Sequence, residues 1–170
     1  FEEWTEGKTK KQKADLKKKY ATSGELNKTE QKVMAIAWDI GKHYSQTWKG
    51  TPFKAQLVAP DKATALLYKR YLDEFGKVTS EVLISGPDER EGFEEVDQVE
   101  DLSEGDKAKV VAFWNRMMAK HGGPSEYQRN LINSFSHSDD PEIIIVVHKL
   151  LTGFDAPRNT VLYLCRPLKD

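Results

Sequence analysis

Two uninterrupted apolar runs constrain this chain more than any other feature. Ile143, Ile144, Ile145, Val146 and Val147 follow one another without a polar residue, and residues 161–165 read Val-Leu-Tyr-Leu-Cys. A strand with one wet face alternates apolar and polar side chains. A strand covered on both faces does not, and that is the condition of strands in a parallel sheet packed between helices. Both runs are therefore expected to be strands buried on both faces. The rest of the chain must then supply covering helices and further parallel strands, which means an α/β three-layer fold.

The remaining residues provide that alternation. Asn27 can cap a helix with Glu30 in the capping-box relation, and Val33, Ile36, Ala37, Ile40 and Tyr44 repeat at helical spacing up to the Gly50-Thr51-Pro52 break. Residues 53–59 read as a strand. Pro60-Asp61 ends it and caps a helix over 62–75, with Ala65, Leu66, Tyr68, Leu72 and Phe75 inward and Gly76 as its left-handed stop. A short strand follows at 81–85. Ser103 then caps a helix containing Ala108, Val111, Ala112 and Met118, which His121-Gly122-Gly123 closes. Pro124 restarts a helix at its permitted first turn, with Tyr127, Leu131, Ile132 and Phe135 apolar.

Charge matters here through its distribution. The net charge of -1 gives no general attraction to nucleic acid. Seven lysines crowd residues 8–19, read as a solvated helix or flexible arm, and an acidic stretch over 86–101 reads as an exposed loop. A lone cysteine, Cys165, excludes an internal disulfide and a multi-cysteine metal site; in its apolar run it reads as a small buried hydrophobe. No apolar stretch is long enough to span a membrane. The length of 170 residues suits one domain with or without a helical arm. The opening Phe1-Glu2-Glu3-Trp4 and the closing Pro167-Leu168-Lys169-Asp170 read as cut ends.

Chemistry is expected in the connection from His148 to Pro157, which leaves the carboxyl end of a buried strand, where open α/β sheets bind ligands. Gly153 permits close approach of a ligand, Asp155 can accept from a ribose hydroxyl, and Thr152 can donate to a phosphate oxygen. On spacing alone, a plain Gly-Asp-Pro turn explains the same residues.

The stretch from Ile144 to Pro167, with Lys-Leu-Leu-Thr-Gly-Phe-Asp-Ala-Pro at its centre and Asn159-Thr160-Val161-Leu162-Tyr163-Leu164 after it, resembles motif V of superfamily 2 helicases. Its Leu-Thr-Gly-Phe-Asp-Ala-Pro form is similar to the restriction subunit of type I restriction–modification enzymes. Ile36-Ala37-Trp38-Asp39-Ile40 with His43-Tyr44 resembles the helix preceding that family's second motor domain, and residues 53–75 and 82–85 stand where its motif IV strand and helix and its next strand occur.

The resemblance implies a RecA-like αβα domain with a mostly parallel sheet over residues 51–170, truncated before motif VI, with residues 1–50 as a helical arm or linker. It implies nucleotide contacts from Gly153 and Asp155 and DNA contacts from Thr152. Lys62, at a helix start, can meet a phosphate with help from exposed helix N–H groups; an ordinary solvated lysine is the alternative. His148 departs from the carboxylate or amide usual there and reads as locally hydrogen-bonded. No phosphate-binding loop is present: Gly7-Lys8-Thr9 ends like one, but the glycine required at position 2 is Glu2. No catalytic residue and no metal ligand is assigned to this fragment. ATP and Mg²⁺ belong to the full-length subunit, and negligible ATPase activity is expected of the fragment alone. The implied partners are double-stranded DNA, the methylation and specificity subunits, and the first RecA-like domain of the same chain, in a bacterial or archaeal cytoplasm. Two other readings stay open: a motor half of another DNA or RNA helicase, and a non-enzymatic α/β module whose lysine arm binds an acidic partner or nucleic acid.

Overall fold

The computed structural model describes Thr9 and residues 28–87, 103–150 and 156–166. These form, in order, α1 (Lys28–Thr47), β1 (Lys54–Val58), α2 (Lys62–Phe75), β2 (Ser80–Leu83), α3 (Glu104–His121), α4 (Pro124–His137), β3 (Ile143–Val146) and β4 (Asn159–Leu164). The strands make one sheet of order β2-β3-β1-β4. Every neighbouring pair is parallel, with Leu57 beside Ile145 and Tyr163, and Val82 beside Ile145. The expected α/β class and parallel sheet are what the chain adopts.

The layers follow from which side chains meet. On β1, Ala55 and Leu57 share a face with Val161 and Tyr163 of β4. Tyr163 on that face meets His43 of α1, and Cys165 beyond it meets Tyr68 of α2, so α1 and α2 cover it. The opposite face carries Lys54, whose ammonium lies 5.3 Å from the Phe135 ring centre of α4. Thus α2 makes the crossing from β1 to β2 on one side, and α3 with α4 makes the return to β3 on the other. All four residues of β3 are fully inaccessible to solvent. Burying such a side chain contributes about 2 kcal/mol, so the isoleucine run is the energetic centre of the fold.

Helix ends are set by local chemistry. Asp61 is the N-cap of α2: its carboxylate accepts from the Thr64 amide (2.7 Å) and hydroxyl (2.8 Å). Gly76 ends the same helix at φ 63°, a backbone that a side chain would strain, and its N–H returns to the Leu72 carbonyl. α1 joins the same core as the sheet: Ala37, Trp38, Ile40 and Tyr44 are buried, and the Tyr44 hydroxyl donates to the Phe53 carbonyl at 2.7 Å.

One expectation is corrected. β4 is not buried on both faces. It alternates half-buried and exposed, with Leu162 58% and Leu164 39% exposed. Apolar composition alone cannot distinguish a central strand from an edge strand, and among the described residues nothing covers its outer face. In α3 the inward stripe is Val110, Phe113 and Met117, whereas Val111 faces out. The helix offers apolar residues on neighbouring faces, and packing selected one of them. The lysine-rich stretch, apart from Thr9, and most of the acidic stretch lie outside the described residues.

Candidate functional site

Because all four strands are parallel, their carboxyl ends meet at one edge of the sheet. Four strand exits therefore converge there: Ala59-Pro60-Asp61, Ile84-Ser85-Gly86, Val147-His148-Lys149-Leu150 and Cys165-Arg166. Open α/β sheets bind ligands at this edge, where helix N-termini and loop backbones point outward.

Lys62 sits at the first turn of α2, on this edge. It is only 3% exposed, and its ammonium donates to the Gly86 carbonyl, so it ties the β2 exit to the start of α2. That burial removes the reading of an ordinary solvated lysine.

Between the exits of β3 and β4, Arg166 approaches His148, one guanidinium nitrogen lying 2.9 Å from both ring nitrogens. A guanidinium only donates, so the imidazole nitrogen it meets is an acceptor. The hydrogen-bond partner of His148 is thus a residue from another strand exit, which no local pattern marks. Lys149 donates to the Gln128 side chain of α4 at 2.9 Å. Leu150 adopts a left-handed φ of 64°, unusual for a residue with a bulky side chain. Behind it, Gln56 spans β1 and its neighbours: its side-chain nitrogen reaches the Leu150 carbonyl at a long 3.4 Å, and its oxygen accepts from Asn159 at 2.9 Å.

Thr152, Gly153 and Asp155 lie outside the described residues, between Leu150 and Ala156. The described part of the edge thus carries basic groups from three strand exits, Lys62, Lys149 and Arg166, with His148 among them. Among the described residues no group of three or more His, Cys, Asp or Glu side chains is placed to hold a metal ion.

Cys165 needs a separate account. Burial pushes its thiol above the usual range, and its hydrogen bond with Tyr68 only partly offsets that. It is a packing group beneath the edge and a poor nucleophile.

A parallel sheet between helix layers defines an α/β domain of the open-sheet class. Within that class, residues 9–170 match the family model for type I restriction enzyme subunit R domain 3. Two proteins of Methanocaldococcus jannaschii, both provisionally named, are similar. The type I restriction enzyme MjaVIIIP endonuclease subunit is 29% identical over 147 residues, covering 86% of this chain and 14% of the relative. The MjaVIIP endonuclease subunit is 32% identical over 118 residues, covering 68% of this chain and 10% of the relative. The chain belongs to the type I restriction enzyme R-subunit domain 3 family. It spans less than a sixth of the length of either relative.

Proposed function

We propose that this chain is one lobe of the ATP-driven, DNA-translocating motor of a type I restriction enzyme. In this reading it forms one wall of a nucleotide cleft, and the first RecA-like domain of the same polypeptide forms the other. One observation carries the reading. β3, a central strand of a parallel sheet, ends at the basic carboxyl edge with His148-Lys149-Leu150, directly before the Leu-Thr-Gly-Phe-Asp-Ala-Pro sequence.

Roles follow from side-chain chemistry. Asp155 accepts hydrogen bonds from a ribose hydroxyl, and Gly153 lets the backbone approach the nucleotide. Thr152 donates to a DNA phosphate oxygen, and Lys62 adds a charge-assisted donor from the first turn of α2 while holding Gly86. ATP with Mg²⁺, held largely by the complementary lobe, supplies the free energy of the cycle when bound. Closing and reopening of the cleft alternates the grip of the two lobes on the DNA backbone, a population shift driven by differential nucleotide contacts. The methylation and specificity subunits supply sequence recognition, and a nuclease domain elsewhere in the subunit cuts the DNA. The assembly works in a bacterial or archaeal cytoplasm; among the described residues no helix is long and apolar enough to cross a membrane.

Asp155→Ala in the full-length subunit tests the assignment. DNA-stimulated ATP turnover is expected to fall at least about tenfold, which corresponds to roughly 1.4 kcal/mol of lost stabilisation. Unchanged turnover removes Asp155 from the site. The isolated chain, having no phosphate-binding loop, is expected to show negligible turnover.

A further inference from the structure

We infer that the cavity beside the start of β2 is a binding site for a small zwitterion with an apolar body, the chemistry of a free α-amino acid. The cavity measures about 570 Å³ and is lined by residues around the start of β2, the end of α2, the end of α3 and the approach to β3. It therefore lies at the amino edge of the sheet, away from the edge where the strand exits converge. Small-molecule sites commonly measure about 300–1,000 Å³ and are mainly apolar, with a few polar groups that fix the ligand. The buried lining here is of that kind: Val78, Met117, Tyr127 and Leu131 are each at most 7% exposed.

A buried polar group points to an occupant. Ser80 lines the cavity and is 3% exposed, and among the described residues its hydroxyl has no hydrogen-bond partner. A buried hydroxyl left unpaired is costly, and a ligand that supplies the partner recovers that cost. The backbone adds to it. The Thr79 carbonyl accepts from the Ile143 amide, and groups alternate sides along a strand, so Ser80 turns its N–H and C=O away from β3 to the outer edge of β2.

The charges around the cavity select the ligand class. Lys69 is paired with Asp73 at 2.8 Å, the Lys49 ammonium donates to the Lys77 carbonyl at 2.6 Å, and Asp140 accepts from the Thr79 hydroxyl at 2.6 Å. Two lining charges remain without a side-chain partner among the described residues, Glu81 and Lys120. They are of opposite sign. A plain anion or a plain cation would be drawn to one and repelled by the other, whereas a zwitterion satisfies both. Its carboxylate suits Lys120 and the Ser80 hydroxyl, its ammonium suits Glu81, and its apolar body covers Met117 and Leu131.

Isothermal titration of the full-length subunit with L-leucine and L-phenylalanine tests this. The companion probes are 3-phenylpropionate, which lacks the ammonium, and phenethylamine, which lacks the carboxylate. At least one amino acid is expected to bind saturably with a dissociation constant below about 1 mM, and each companion at least about tenfold more weakly than L-phenylalanine. Glu81→Gln and Lys120→Met should each weaken the amino acid at least about tenfold while leaving the unfolding temperature unchanged. If a variant does lower that temperature, the companion probes on the unaltered protein still decide. Absence of saturable binding by both amino acids up to about 10 mM overturns the inference. So does equal binding of L-phenylalanine and its two companions, which would make the cavity a merely apolar one. Binding that survives both variants would lie elsewhere and overturns it too. ATP turnover is not the readout, so failure of the motor reading and failure of this site are separable.

Discussion

The two edges of the sheet are treated in opposite ways. β2 is an edge strand by order, yet Ser80, Val82 and Leu83 are at most 3% exposed, while β4 on the other side leaves Leu162 58% exposed. Composition does not explain this, since Ser-Glu-Val-Leu is the less apolar strand. α3 explains it. The helix packs on α2 and on α4, and its last turn, at Met117, Lys120 and His121, lines a cavity of about 570 Å³ together with Val78, Thr79, Ser80 and Glu81 at the start of β2. α2 and α4 pack directly on β2, and the Tyr127 hydroxyl of α4 donates to the Val82 carbonyl, so the three helices together enclose that side. Exposure of an edge strand is thus decided by which helices pack beside it.

Predictions sharpen this contrast, beginning with the largest effect. Phe113→Ala removes an aromatic from the inward stripe of α3 and is expected to cost about 3–5 kcal/mol in denaturant unfolding. A loss below about 1 kcal/mol would mean that α3 does not hold the β2 edge.

The second concerns Lys54, between the edges. The residue is 2% exposed, and its ammonium donates to the Ser138 and Pro141 carbonyls at 2.7 and 2.8 Å. Burial, followed by the nearby Arg158, lowers its pKa from 10.5 to about 8. Below pH 8 the folded and unfolded states are both protonated and the full cost of the buried charge is present. Between pH 8 and 10.5 the unfolded state binds more protons, so stability should rise with pH, by up to about 3 kcal/mol. Lys54→Met should flatten that slope in urea titrations at several pH values, and a slope unaffected by the substitution would contradict the burial argument.

Next, Tyr127→Phe deletes the hydroxyl that donates to the Val82 carbonyl on β2. A loss of about 1–2 kcal/mol is expected, because the buried carbonyl loses its added partner. The corresponding truncation on the open edge, Leu162→Ser, should change the stability of this chain by less than about 0.5 kcal/mol. If it costs as much as Tyr127→Phe, β4 is covered within these residues and the contrast fails.

Much of the fold was legible because it depends on short-range chemistry. Asp61 and Ser103 cap α2 and α3 with their own side chains, Pro124 starts α4, and Gly76 and Gly122 stop helices with positive φ, so the boundaries of α2 and α3 are where capping rules put them. The isoleucine run of β3 could only be buried. What was not legible required knowing neighbours. That Lys62 points inward to Gly86 depends on where β2 ends, and that Arg166 meets His148 depends on parallel pairing of β1 with both β3 and β4. Of the candidate site, the sequence alone nominated Thr152, Gly153 and Asp155; Arg166 emerges only from the sheet.

By itself the sequence determined the parallel α/β class and the element order, and its motif announced the family, since periodicity, caps and motif residues act within a few positions of one another. Strand order, the wrapped β2 edge and the bare β4 edge were settled by tertiary packing. An apolar residue lowers its free energy by leaving water, whichever neighbour covers it, and the identity of that neighbour exists only once the chain has folded.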